Sequence, residues 1–213
     1  MFKDRKDAGS QLAQKLKKYK DQKDVLVLAL PRGGVVTGYE IAHFLKAPLD
    51  IIIVRKIGFP GQPEFGIGAI SETGTLVISE SIVTTHGVLR EYIESEIATQ
   101  KEEIKRRVEL YRKGKKLPNL EGKIIIIVDD GIATGSTMEA AIKTLKEEKI
   151  HRLIVAIPVA PPNVADKFEP IVDEFICLET PAEFMAVGAF YRDFTQVSDS
   201  EVVELLQRIE KER

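Results

Sequence analysis

Short, mainly apolar runs alternate along this chain with longer amphipathic stretches. Residues 25–30, 50–55, 123–128, 152–158 and 172–178 form the apolar runs. Each predicts a strand, and the unbroken run 25–30 predicts one covered on both sides. The stretch 4–19 places Ala8, Leu12, Ala13 and Leu16 on one helical face and lysines on the other. Residues 35–45 read as a helix closed by Ala47 and Pro48, and 136–147 as another. Tyr92, Ile93, Ile97, Ile104, Val108 and Tyr111 are spaced for one long, highly charged helix over 87–116, ended by Pro118. Residues 161–168 begin with two prolines suited to a first helical turn, and 199–211 close the chain as a helix capped by Ser198 or Asp199. Buried strands alternating with helices predict an α/β fold: a doubly wound, mostly parallel five-stranded sheet flanked by helices, with a small cap. The glycine- and proline-rich stretch 58–74 interrupts this rhythm and reads as a long functional loop or a short irregular hairpin; 75–78 reads as a short strand. The expected organisation is a single domain over 1–213, with a core over 24–180, a helical insertion over 80–118 and a C-terminal cap segment over 181–213.

In open α/β sheets, ligands bind beyond the carboxyl ends of the strands. Three polar segments follow apolar runs directly and are expected to gather at one rim: Pro31-Arg32-Gly33-Gly34, Arg55-Lys56-Ile57-Gly58 and residues 129–137. The last is the most informative. It opens with two adjacent acids, Asp129 and Asp130, and continues through small and hydroxyl residues into a helix. The first N–H groups of a helix have no intrahelical partner, and its dipole favours negative charge there, so such a loop suits a phosphate. Thr134, Ser136 and Thr137 offer hydroxyl donors. Two carboxylates beside an anion repel it unless a cation or hydroxyls stand between them. A sugar phosphate with Mg²⁺ meets that condition. The chain has no G-x-x-x-x-G-K-[ST] nucleotide loop, and its glycine spacing does not fit a dinucleotide loop.

The contiguous stretch IIIIVDDGIATGST (124–137) resembles the signature of the type I phosphoribosyltransferases, which bind 5-phosphoribosyl-1-pyrophosphate (PRPP). The resemblance implies that Asp129 and Asp130 face the ribose hydroxyls. Ala133, Thr134, Gly135, Ser136 and Thr137 would wrap the 5-phosphate. Arg32 and Gly33 would hold pyrophosphate, in a loop that in this family often carries a cis peptide. Arg55, Lys56 and Arg192 are further candidates for the pyrophosphate, and Phe190 and Tyr191 for an acceptor base. Asp193, with Asp129 and Asp130, is a candidate for Mg²⁺, through ribose or water where not direct. Asp129, Asp130 and Arg32 are thus the expected catalytic residues. Residues 59–69 lie where relatives carry a mobile lid, and Glu64 within them reads as solvated. The implied activity is Mg²⁺-dependent transfer of ribose 5-phosphate from PRPP to a nitrogenous base. The alternative is a PRPP-sensing regulator that transfers nothing. A homodimer is expected by family habit. The resemblance does not spell out the acceptor, and the middle insertion is longer than compact salvage enzymes need.

Composition narrows the field. The net charge of −2 provides no global basic field for nucleic acid. A lone cysteine, Cys177, excludes a disulfide framework or a thiolate zinc site within one chain, and with it a zinc-ribbon relative. His43, His86 and His151 show no metal-ligand spacing and read as core or surface residues. No apolar run is long enough to span a bilayer, and the N-terminal residues lack a signal-peptide core. A cytoplasmic protein without nucleic-acid or membrane partners is expected. The basic clusters at 105–107 and 112–113 read as a solvated face first and a partner surface second.

Overall fold

A computed structural model describes residues 1–212, with Glu64 by its backbone alone, so the expected solvation of Glu64 lies outside what is described. The chain runs α1 (Arg5–Lys15), β1 (Val25–Ala29), α2 (Gly33–Leu45), β2 (Leu49–Ile51), β3 (Val54–Phe59), β4 (Gln62–Ser71), β5 (Leu76–Ile78), α3 (Glu80–His86), α4 (Arg90–Arg112), β6 (Ile124–Val128), α5 (Ser136–Glu147), β7 (Arg152–Val159), α6 (Pro162–Phe168), β8 (Glu174–Glu179) and α7 (Asp199–Lys211). It forms two compact units: residues 1–51, 117–133 and 148–213, and residues 52–116 and 134–147.

The first unit is built on a five-stranded parallel sheet in the order β2-β1-β6-β7-β8. Every residue of β1 and β6 is buried, as their unbroken apolar runs require. Their register pairs Val25 with Ile124 and Ala29 with Val128, so both strands end level, just before the Pro31 turn and the two acids. Asp4 caps α1 by accepting the N–H of Asp7, and α1 packs Ala8, Leu12 and Ala13 inward. Phe2 forms a parallel bridge with Tyr191: its N–H donates to the Phe190 carbonyl at 2.8 Å, and its carbonyl accepts from Arg192 at 2.9 Å. The two ends of the chain are thereby joined over a cluster of Phe2, Ala8, Val159 and Tyr191.

The second unit contains a three-stranded antiparallel sheet, β3-β4-β5. Its register runs from Val54 opposite Ser71 to Phe59 opposite Gln62, with irregularities at Ile57 and Gly58. Ile57, Ile67 and Val88 form its core, with Tyr92, Ile93 and Ile97 of α4 packed against them. A buried ion pair joins Arg112 at the end of α4 to Glu72 after β4. Glu72 also accepts the N–H of Ile53 at 2.9 Å.

Two expectations need correction. The apolar run 50–55 is not one strand: only Leu49–Ile51 joins the parallel sheet, and Val54 begins an antiparallel strand of the other unit. Arg55 and Lys56 therefore lie inside a hairpin strand, not beyond the tip of a parallel one. The stretch 58–74 resolves as most of that hairpin, so of the two readings offered for it the hairpin holds. The charged stretch 87–116 holds one long helix, α4, as expected; a short helix, α3, precedes it and ends where Gly87 takes a left-handed conformation (φ +61°). Among the described residues no helix is long and apolar enough to cross a membrane.

Candidate active site

Asp129 and Asp130 follow the last residue of β6. Asp129 accepts the N–H of Asp130 through its own carboxylate at 2.8 Å, which fixes the turn after the strand. The Asp130 carboxylate accepts from Arg5 Nε at 2.6 Å, and the two side chains are 15% and 10% exposed. Arg5 also donates to the Thr195 carbonyl at 2.8 Å, and its guanidinium lies 3.8 Å from the centre of the Phe194 ring. Tyr191 donates its hydroxyl to the Asp130 carbonyl at 2.6 Å. Asp130 is thus gripped by its main chain and its side chain, from opposite ends of the sequence.

Burial, and then the charge of Asp130, push the Asp129 carboxyl well above the usual carboxylate range. Burial also raises the Asp130 carboxyl, but Arg5 opposes it. The Tyr191 hydroxyl is held protonated by burial first and the nearby acids second.

The turn after β1 packs directly against the acids. The Pro31–Arg32 peptide is cis. A Cβ added at Gly33 would overlap the Asp130 carboxylate and come within 2.8 Å of Arg5 Nε; one at Gly34 would sit 2.9 Å from the Asp129 Cα. Only glycine permits this approach. Arg32 stands at the N-terminal cap of α2, with its guanidinium 3.8 Å from Asp199. Gly33 and Gly34, far from Asp129 and Asp130 in sequence, are therefore their neighbours, while the Arg32 side chain reaches toward Asp199.

Residues Ala133–Thr137 lead into α5; Ala133 and Thr134 are exposed, Ser136 and Thr137 partly so. Gly135 takes φ +82°, a conformation that suits glycine at this sharp turn. In the second unit Lys56 runs beside Gly66, and an added Cβ there would sit 3.3 Å from Lys56 Cδ and 3.8 Å from Ser136 Oγ. Lys56 and the phosphate-type turn thus flank the same glycine. Arg55 behaves differently: it is half-buried and donates from Nε to Gln100 on α4 at 2.9 Å.

The C-terminal segment divides its roles. Tyr191 is 6% exposed, in contact with Phe2 and Phe194. Phe190 is partly exposed and stacks on Phe184 with ring centres 5.3 Å apart. Arg192 and Asp193 are exposed, and Asp193 accepts from the Thr195 N–H and hydroxyl at 3.0 and 2.6 Å. Arg5 is the site residue that sequence reasoning missed. Nothing in the periodicity separates it from its lysine neighbours.

Among the described residues no three His, Cys, Asp or Glu side chains cluster as a metal cage. Two adjacent carboxylates fit Mg²⁺ of another kind, which keeps its waters and is bound through one or two carboxylates plus substrate phosphates.

A parallel sheet, a paired-acid strand tip and a glycine turn closed upon it define a phosphoribosyl transferase domain, and the chain belongs to that family, whose description matches residues 2–171. It is 43% identical over 212 residues to "Putative phosphoribosyl transferase Rv0571c" of Mycobacterium tuberculosis, covering all of this chain and 48% of that protein. The chain thus spans about half the length of the curated relatives it matches. A stretch of 66 residues is 41% identical to the uracil phosphoribosyltransferase of Mycoplasma genitalium, covering 29% of this chain and 32% of that one. The crystal structure of TT1426 from Thermus thermophilus superposes with a TM-score of 0.80 at 39% identity, covering 98% of each chain.

Proposed function

We propose that this chain is a Mg²⁺-dependent phosphoribosyltransferase that moves ribose 5-phosphate from PRPP to a nitrogen nucleophile and releases pyrophosphate. The observation that carries the reading is the packing of Gly33 and Gly34 onto Asp129 and Asp130 at the end of β6. It sets a turn rich in N–H donors against a pair of acids, at the strand ends where such sheets bind ligands.

In this reading Asp129 and Asp130 orient the ribose hydroxyls, and Arg32 with the Gly33 backbone receives the pyrophosphate. Ala133–Thr137 take the 5-phosphate. Lys56 moves from the pyrophosphate to the 5-phosphate, because it flanks Gly66 together with Ser136. Arg55 is spent on Gln100 and is assigned no ligand. Arg192 remains available to pyrophosphate. Phe190 is the aromatic offered to the acceptor, while the buried Tyr191 supports Asp130. Asp129 and Asp130 would hold Mg²⁺ through ribose or water, and the ion supplies charge neutralisation at the departing pyrophosphate; Asp193, committed to Thr195, is set aside.

The C1–O bond to pyrophosphate breaks, its electron pair leaves with the pyrophosphate, and the nitrogen lone pair forms the new bond. Positive charge develops at the sugar, so carboxylates fixed beside it lower the barrier. Holding the reactants in line supplies much of the remainder. The test is pyrophosphate release from PRPP and Mg²⁺ across a panel of nucleobases. Release with one acceptor, abolished in Asp129→Asn/Asp130→Asn, is the expected result. Saturable PRPP binding without release for every acceptor would instead assign the chain as a sensor.

A further inference from the structure

Arg5 is the least expected member of the acid site. Buried arginines are rare unless paired. This one has three separate anchors: the Asp130 carboxylate, the Thr195 carbonyl and the Phe194 ring. It lies within 2.8 Å of where a Cβ on Gly33 would stand, so it occupies the corner between the acid pair and the glycine turn. The Thr195 and Phe194 anchors come from the C-terminal segment, and the Phe2–Tyr191 bridge ties that segment to the residues just before α1. The geometry is that of a support built around one carboxylate.

Two adjacent partly buried carboxylates repel each other strongly in a poorly screened site. A fixed guanidinium offsets that repulsion and restricts the rotation of the carboxylate it holds. We infer that Arg5 is a positioning residue of the ribose site: anchored on Thr195 and Phe194, it holds Asp130 in the orientation from which that carboxylate meets the sugar hydroxyls. Arg5 acts through Asp130 and touches no reacting atom. The inference rests on the reading of Asp129 and Asp130 as ribose acids, and it assigns to the N-terminal helix a part in PRPP recognition.

The test is a double-mutant cycle read by calorimetric titration of the full chain with PRPP in Mg²⁺, beside titration with inorganic pyrophosphate and thermal melting of each variant. Arg5→Met should weaken PRPP binding by about tenfold or more, as loss of a charged hydrogen bond implies. Affinity for inorganic pyrophosphate, which has no ribose, should stay within about twofold, the scatter of such comparisons. Arg5→Lys, which keeps the charge but not the forked donor, should recover part of the loss. In the Asp130→Asn background Arg5→Met should cost almost nothing more. If Arg5→Met does not fold, Phe194→Leu, which removes the ring under the guanidinium, replaces it in the same cycle. Unchanged PRPP affinity in Arg5→Met would overturn the inference. So would an equal loss in both backgrounds, or a parallel loss for pyrophosphate, since either means that Arg5 does not work through Asp130. Failure of the wild-type chain to bind PRPP would instead remove the phosphoribosyltransferase reading itself.

Discussion

Each unit of the molecule contains a buried carboxylate paired with an arginine, and the two pairs serve different ends. Glu72 in the second unit gives one oxygen to Arg112 and the other to the Ile53 N–H, and both side chains are 6% exposed. It stitches a hairpin to the end of a helix. Asp130 in the first unit is also paired with an arginine, but beside a second acid whose charge it opposes and under a glycine turn that leaves no room for a side chain. A carboxylate that serves structure, as Glu72 does, has each oxygen answered by a protein donor and its charge compensated by a cation. A carboxylate beside another carboxylate is an unfavourable arrangement for folding, retained where a ligand makes use of it.

The largest expected effect separates the two most clearly. Asp129→Asn/Asp130→Asn should reduce PRPP-dependent pyrophosphate release by about a hundredfold or more, the scale of lost electrostatic stabilisation, while circular dichroism shows the fold intact. Near-normal release would contradict the role given to the acids. Glu72→Gln should do the reverse: breaking a buried pair leaves Arg112 uncompensated and costs about 3–5 kcal/mol in denaturant unfolding. Gly33→Ala forces a methyl group into the Asp130 carboxylate and should lower stability by about 1–3 kcal/mol, with a loss of PRPP affinity that Ala at an open glycine such as Gly74 does not produce.

The smallest effect has the opposite sign. The Asp129 pKa is raised in the folded chain, so its contribution to stability is fully present below the ordinary value of 3.8 and is lost as pH rises through the folded value. At neutral pH the ionisable residue is therefore a burden that asparagine lacks. Asp129→Asn should melt above the wild type at pH 7, by about 2–4 °C for each kcal/mol recovered, and the two curves should converge below pH 3.8. A variant that melts below the wild type at neutral pH would show that Asp129 stabilises the fold.

The sequence disclosed the parallel sheet and its acid tip because both are local. A short apolar run bounded by turn residues fits a strand covered on both faces, and the acids, the turn and the helix after them are contiguous from 124 to 137. The hairpin was harder to read. Gly58, Gly66 and Gly68 remove the side chains that would have shown an alternating pattern, and Ile52 and Ile53 carry the apolar run past the end of β2 into Val54. Arg55 was consequently placed at a strand tip that does not exist. Phe190 and Tyr191 are chemically similar neighbours, and which of them turns inward is decided by a bridge to Phe2 at the other end of the chain. Arg5 meets Asp130 across 125 positions of sequence, and the pairing exists only once both ends of the chain are in place.

The most direct test is calorimetric titration of Mg²⁺–PRPP into the wild-type chain and into the double variant Asp129→Asn/Asp130→Asn, at matched Mg²⁺ and with melting curves for both. The account predicts one saturable site per chain in the wild type and its loss in the folded variant. Equal binding by the two proteins, or no binding by the wild type, would contradict it.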